Sequence, residues 1–283
     1  MDGCAKFENI ILHYWEELER DNQDRDFWDE DGQPVLEYRL LETLLSRSVA
    51  DADSVKSGLF AKALDMWIAG ELRAAGFCED AVWPRLHMPR VLDPAVLSFI
   101  QSLNSSTAQK CCAALTRMRS AEANVMGSTY RKQVDVGMSS WLTGPEILIS
   151  TKTMGSSFGK NLANRFEEAY GDAKNLKGRH PLATLGFVFV VRSTITDEPK
   201  SLQKAVSMLK KLQFEQDAYD AVALLLVEWN EDCCVKISDK NALVPQELSM
   251  DSFMKDVVEL TLLRSASDFH ETARLKRYPV LGA

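Results

Sequence analysis

The chain has 283 residues, with 41 acidic against 33 basic side chains and a net charge of −8 at neutral pH. That length suffices for one large domain or two modest ones, and the negative balance excludes bulk electrostatic binding of nucleic acid, although charge can be local. No run approaches the ~18 apolar residues of a membrane span, and the opening MDGCAKFENIILHYWEELER is acidic and amphipathic rather than signal-like. A soluble, cytoplasmic protein with no membrane partner is expected.

The first part of the chain is helical in pattern: residues 7–20, 35–48, 54–75 and 94–103 carry apolar positions at three- and four-residue spacing, separated by acidic loops. Pro84, Pro89 and Pro94 mark an irregular stretch that reads as a hinge or a groove-lining loop. The organisation changes near residue 95, which divides a helical N-terminal region (1–95: recognition, dimerisation or scaffold) from a core (96–283). A further helix is predicted over 106–123. No repeat of 20 to 50 residues is visible.

Residues 133–138 and 146–152 read as an antiparallel pair closing near Leu142, because SSWLTGP between them holds the Ser cluster and Gly-Pro of a turn. This sets Asp135 roughly opposite Ser150. Strand parity puts Glu146, Leu148, Ser150 and Lys152 on one face and Ile147, Ile149 and Thr151 on the other. Glu146 lies about 20 Å along the strand from Lys152 at ~3.3 Å per residue, too far to share a metal with it.

The next helix is predicted from the Gly155-Ser156-Ser157 cluster to about residue 173. At 100° per residue, Phe158, Leu162, Phe166, Ala169 and Ala173 form its buried stripe, with Glu168 on the flank beside Asn161, Arg165 and Asp172; Glu167 points away. Glu168 is therefore the preferred second acid, with Glu167 in reserve. Two carboxylates and a backbone carbonyl suit a hard cation such as Mg²⁺, which polarises a phosphate and lowers the pKa of an attacking water. Asp135 and Glu168 would hold the ion and Lys152 would serve the nucleophile. Isolated acids and lysines are also ordinary surface residues, and Arg165 and Asp172 equally suit helix-surface pairs.

Residues 181–192 form a buried-strand run, 200–212 an amphipathic helix and 221–229 a second apolar strand. Such a strand, helix, strand unit implies a parallel crossover and an α/β (α+β) fold with a mixed central sheet flanked by helices. The helix over 250–264 has an apolar stripe for an interface or the core, and a basic tail follows at 274–277. Arg131 and Lys132 precede Asp135, Lys160 and Arg165 lie on the acidic helix, and Lys174, Lys177, Arg179 and His180 follow it. These are candidate phosphate contacts or, equally, ordinary solvated positions. Cys4, Cys78, Cys111, Cys112, Cys233 and Cys234 lack metal-ligand spacing and read as buried free thiols. The four histidines, His13, His87, His180 and His270, are scattered.

An acid opening one strand, Ser150-Thr151-Lys152 on the next and an acid on the helix that follows together resemble the PD-(D/E)xK nuclease superfamily, which includes most type II restriction endonucleases. Val134 stands where the family commonly has Pro, and Ser150 where it has an acid. The second departure is similar to an SxK subgroup that reads CCGG-containing sites and completes its site with a Glu migrated to the following helix, here Glu168 or Glu167. The resemblance spans roughly residues 124–229 and implies an αβββαβ core, Mg²⁺-dependent cleavage of double-stranded DNA and a homodimer for a palindromic target. It also makes Arg85, Arg90, Arg117 and Arg119 candidate base or phosphate readers. The alternative is a non-catalytic or regulatory interaction protein of a phage-defence complex that keeps the fold. A structure-specific or RNA-directed nuclease is a third reading.

Overall fold

The computed structural model describes residues 3–20, 26–51, 58–117, 123–229 and 233–279. Helices α1 (Ala5–Arg20), α2 (Tyr38–Ala50) and α3 (Leu59–Ala74) come first. On α2 the buried face is Leu40, Leu41, Leu44, Leu45 and Ser48, the stripe its period requires. Helix α3 is buried almost all round, because α2 covers one side and the central sheet the other. Its polar residues Asp65 and Glu71 are therefore interior.

Strand β1 (Val82–Trp83) is followed by α4 (Pro94–Gln101), which starts where Pro94 follows the capping side chain of Asp93, and by α5 (Ser105–Arg117). The chain then runs β2 (Ala123–Met126), β3 (Arg131–Val134), β4 (Val136–Ser140), β5 (Gly144–Met154), α6 (Phe158–Lys177), β6 (Thr184–Arg192), α7 (Pro199–Phe214), β7 (Ala221–Trp229), β8 (Val235–Ile237), α8 (Met250–Arg264) and α9 (Glu271–Arg277). The helix predicted over 106–123 ends earlier than expected: Arg117 is helical, Ala123 already belongs to β2, and 118–122 lie outside the described residues.

Six strands form one mixed sheet in the order β1-β4-β5-β6-β7-β8, and β2 and β3 form a separate hairpin. The β5, β6 and β7 strands are parallel, joined through α6 and α7, whereas β4 and β8 pair antiparallel at either side. The α/β architecture with a helical N-terminal region is thus as the periodicities predict. The expected hairpin also forms, with Val136 opposite Ile149 and Ser140 opposite Gly144. Gly144 has φ +71, a left-handed conformation that admits glycine readily. The 133–138 run, however, is not one strand: it divides at Asp135, with β3 pairing to β2 and β4 to β5.

Parity along β5 is as expected. Ile147 and Ile149 face α3 and α8 in one apolar cluster, which also holds Phe7, Leu41 and Trp67 and so spans both sides of residue 95. Leu148 and Met154 face α6 and α7 in the other cluster. At Gly186 a Cβ would meet Ile149 and Phe253 side-chain atoms at 2.9 Å, so α8 sits directly on the sheet there. Among the described residues no helix is long and apolar enough to cross a membrane.

Candidate active site

Asp135 occupies the single residue between β3 and β4, where leaving one strand pair for another lets its carboxylate turn toward β5. Its backbone N–H donates to the Ile149 carbonyl (3.1 Å), and its Oδ2 accepts the Thr151 N–H (2.9 Å). That side-chain acceptor satisfies a β5 amide and fixes the acid beside Ser150 and Lys152. Ser150 is buried at 2% exposure.

On the α6 side of the sheet, Lys152 Nζ lies 3.1 Å from Glu168 Oε1, and Arg165 donates to Glu168 Oε2 at 2.9 Å. Burial opposes ionisation of Glu168, but the hydrogen bonds and charges of Lys152 and then Arg165 overcome it and hold the carboxyl below its ordinary range. Glu167 is exposed. Of the two neighbouring acids, α6 thus directs Glu168 to the lysine.

One turn further along α6, Asp172 is buried and accepts from the Tyr130 hydroxyl (3.0 Å), while Lys132 pairs with its other oxygen. Asn175 makes this meeting possible by pinning the β2–β3 turn. Its Oδ1 accepts from the Thr129 and Tyr130 amides (2.8 and 3.2 Å), and its Nδ2 donates to the Tyr130 carbonyl (3.0 Å). Tyr219, at the end of the loop into β7, buries its hydroxyl beside Ser150. Burial, and then the charges of Asp172 and Asp135, push that phenol up.

The opposite face of β5 holds an acid that the sequence reading missed. Asp65 on α3 has no exposed surface. Its Oδ1 accepts from Thr151 Oγ1 (2.7 Å) and its Oδ2 pairs with Lys62 Nζ (3.0 Å). Thr151 therefore ties two carboxylates together, Asp135 through its backbone and Asp65 through its hydroxyl. Burial, reinforced by the charge of Asp135, pushes Asp65 up to about 7. An acid inside the apolar run ALDMWIA is the signal in the sequence for it.

The remaining candidates divide. Arg131, Lys160 and Arg179 are exposed. Lys174 pairs with Glu215 (3.5 Å). Lys177 is buried and turned inward, donating to Asp220 (2.8 Å) and to the Ala183 carbonyl (3.0 Å). Arg85 and Arg90 are buried in contacts with Asp80 and Glu8, Arg117 is exposed, and Arg119 lies outside the described residues. The basic tail is helix α9, where Arg274 donates to the Leu262, Ser265 and Ala266 carbonyls and Arg277 pairs with Glu259. Glu146 is bound to His270 at 2.6 Å, and His180 meets the Met126 carbonyl. The six cysteines form no disulfide, but only Cys4 is buried; Cys78 and Cys234 are exposed because they stand in loops rather than in the core.

Among the described residues, no three His, Cys, Asp or Glu side chains group closely enough to cage a metal by themselves. A divalent cation such as Mg²⁺ needs less, since it keeps several waters and is bound by one or two carboxylates together with substrate phosphate oxygens. The oxygen donors of Asp135 and Glu168 fit that chemistry. Comparison of the chain with protein-family models, with curated proteins and with solved structures finds no match.

Proposed function

We propose that the chain is a Mg²⁺-dependent DNA endonuclease of type II restriction character, acting on double-stranded DNA as a homodimer. The observation that carries this reading is that Asp135 is held against the strand bearing Lys152, and Lys152 meets Glu168 from the following helix. The β4–β5 hairpin followed by the β5–α6–β6 crossover also agrees with the αβββαβ order that the resemblance implies.

In this reading Asp135 and Glu168 hold the cation, which when bound polarises the phosphate and acidifies a water. Lys152 Nζ orients the attacking water and offsets negative charge building on the phosphorus centre. Glu168 keeps Lys152 extended toward that position before substrate arrives. Thr151 fixes the direction of Asp135, so a shift in α3 would be felt at the carboxylate through Asp65. Arg165, shared with Glu168, is within reach of a flanking phosphate.

A second reading has its own support. Both oxygens of Glu168 already accept from cations, as they would in a purely structural strand–helix ion pair. An interaction protein of a phage-defence complex with this fold would keep the pair without cutting. The separating experiment is incubation of the purified chain with plasmid and phage DNA in Mg²⁺. Discrete fragments that disappear in EDTA and in Asp135→Ala support the nuclease. Intact DNA across many sequences favours the interaction protein, and cutting without sequence preference favours a structure-specific enzyme.

A further inference from the structure

A cleft of about 540 Å³ opens where β5, β6 and β7 end, between the start of α3 and the first turns of α6. It begins at Thr153, one residue beyond Lys152. Arg165 and Arg192 line it together with Asn161, Ser156 and the Trp229 ring. In a chain of net charge −8, no acidic side chain among the described residues lines this cleft.

Of its two cations, Arg165 is ion-paired with Glu168, whereas Arg192 is held without a carboxylate among the described residues. The Arg192 guanidinium lies 4.6 Å from the centre of the Trp229 ring, and one of its nitrogens donates to the Trp229 carbonyl (3.1 Å). Trp229 in turn packs against Phe60 at 5.8 Å. Stacking orients the guanidinium without neutralising it, and Arg192 has no carboxylate partner among the described residues. The Asn161 side-chain amide has no hydrogen-bond partner there either. Arg165 links the cleft to Glu168, and through it to Lys152. The position is the one open α/β sheets use for ligands, outside the carboxyl ends of parallel strands.

We propose that this cleft is a phosphate subsite, in which Arg192, Asn161 and Arg165 hold one phosphate group of the DNA strand whose reacting bond lies at Asp135 and Lys152. The assignment rests on the nuclease reading and names what it adds, a second point of attachment along the strand. The phosphate is either the monoester at a 5′ end or an internal diester, since guanidinium and amide donors suit both.

The test is fluorescence anisotropy of the full chain with a short duplex carrying a 3′ fluorophore, in EDTA so that the probe stays intact, prepared with a 5′-phosphate or a 5′-hydroxyl. Arg192→Gln and Asn161→Asp should each weaken binding about tenfold, the scale of one charge-assisted hydrogen bond, and Arg192→Lys, which keeps the charge but loses the stack on Trp229, should recover only part of it. Asn161 is partly exposed on α6, so Asn161→Asp remains informative if Arg192→Gln disturbs the stack on Trp229. Tighter binding of the 5′-phosphorylated duplex identifies a strand end as the source, and equal binding identifies an internal diester. Wild-type affinity in both variants, or no binding of either duplex by the wild type, overturns the proposal. Weakened binding with no cutting in Mg²⁺ removes the nuclease reading and leaves the subsite. Asp135-dependent cutting with unaltered binding does the reverse.

Discussion

Lys152 on β5 and Glu168 on α6 meet at 3.1 Å, sixteen positions apart in the chain and on elements joined only by the turn at 155–157. The pair sets the lysine amine on the α6 side of the sheet, while Thr151, the residue before it, binds Asp65 on the α3 side. Two consecutive residues thus connect the strand to both helical layers.

Because Glu168 is partly exposed, its ion pairs contribute at most about 1 kcal/mol to stability. Glu168→Gln should therefore leave the thermal midpoint nearly unchanged while lowering Mg²⁺-dependent plasmid cutting by ~10²-fold or more, the scale of losing one preorganised charged group. Glu167→Gln, at a position turned to solvent, should cut as the wild type does. Equal loss in both variants would contradict the assignment of Glu168.

Thr151→Val removes the hydroxyl that serves Asp65 and keeps the N–H that serves Asp135. Leaving a buried carboxylate oxygen without that donor costs about 1–3 kcal/mol, which urea unfolding would register. Thr151→Ser should restore most of it.

The raised pKa of Asp65 has a definite sign. A carboxyl whose folded value lies above its unfolded one contributes stability below the unfolded pKa and loses it as pH rises through the folded value, here between about 3.8 and about 7. Relative to Asp65→Asn, the wild type should lose stability across that window, seen as a thermal-midpoint difference that moves in the variant's favour from pH 4 to pH 8. A difference independent of pH would mean that Asp65 keeps an ordinary pKa.

Asp220 behaves in the opposite way. Burial opposes its charge, but hydrogen bonds from Arg264 (2.7 and 2.9 Å), from Lys177 (2.8 Å) and from the Leu185 amide (2.8 Å) hold its carboxyl below the ordinary range. Its stabilisation is present above the unfolded pKa and is lost as pH falls through the lower folded value. Asp220→Asn should destabilise by on the order of 3 kcal/mol at neutral pH, since it leaves Lys177 and Arg264 facing an uncharged partner. The deficit should shrink in acid, as denaturant titrations at pH 7 and pH 3 would show.

Much of this arrangement is legible in local pattern. Alternation along 146–152 separates the Ser150–Lys152 face from the Thr151 face, and the 3.6-residue period of 158–173 brings Glu168, not Glu167, to the flank of the buried stripe. The same pattern misplaces Lys177. A basic residue in the last turn of a helix reads as solvated, and it is interior only because Asp220 and Arg264, 43 and 87 positions later in the chain, place a part-buried anion and cation around it.

Periodicity and turn chemistry are properties of neighbouring residues, so they settle which segments become strands and helices and which face of each carries the acids and the lysine. Asp65 meets Thr151 across 86 residues, and Asp135 leaves one strand pair for another because β2 exists to receive β3. Such contacts depend on how whole layers stack, since burial and charge pairing act through space. Only the folded chain decides that α3 supplies a third acid beside the site and that Arg192 stacks on Trp229 at the sheet's end.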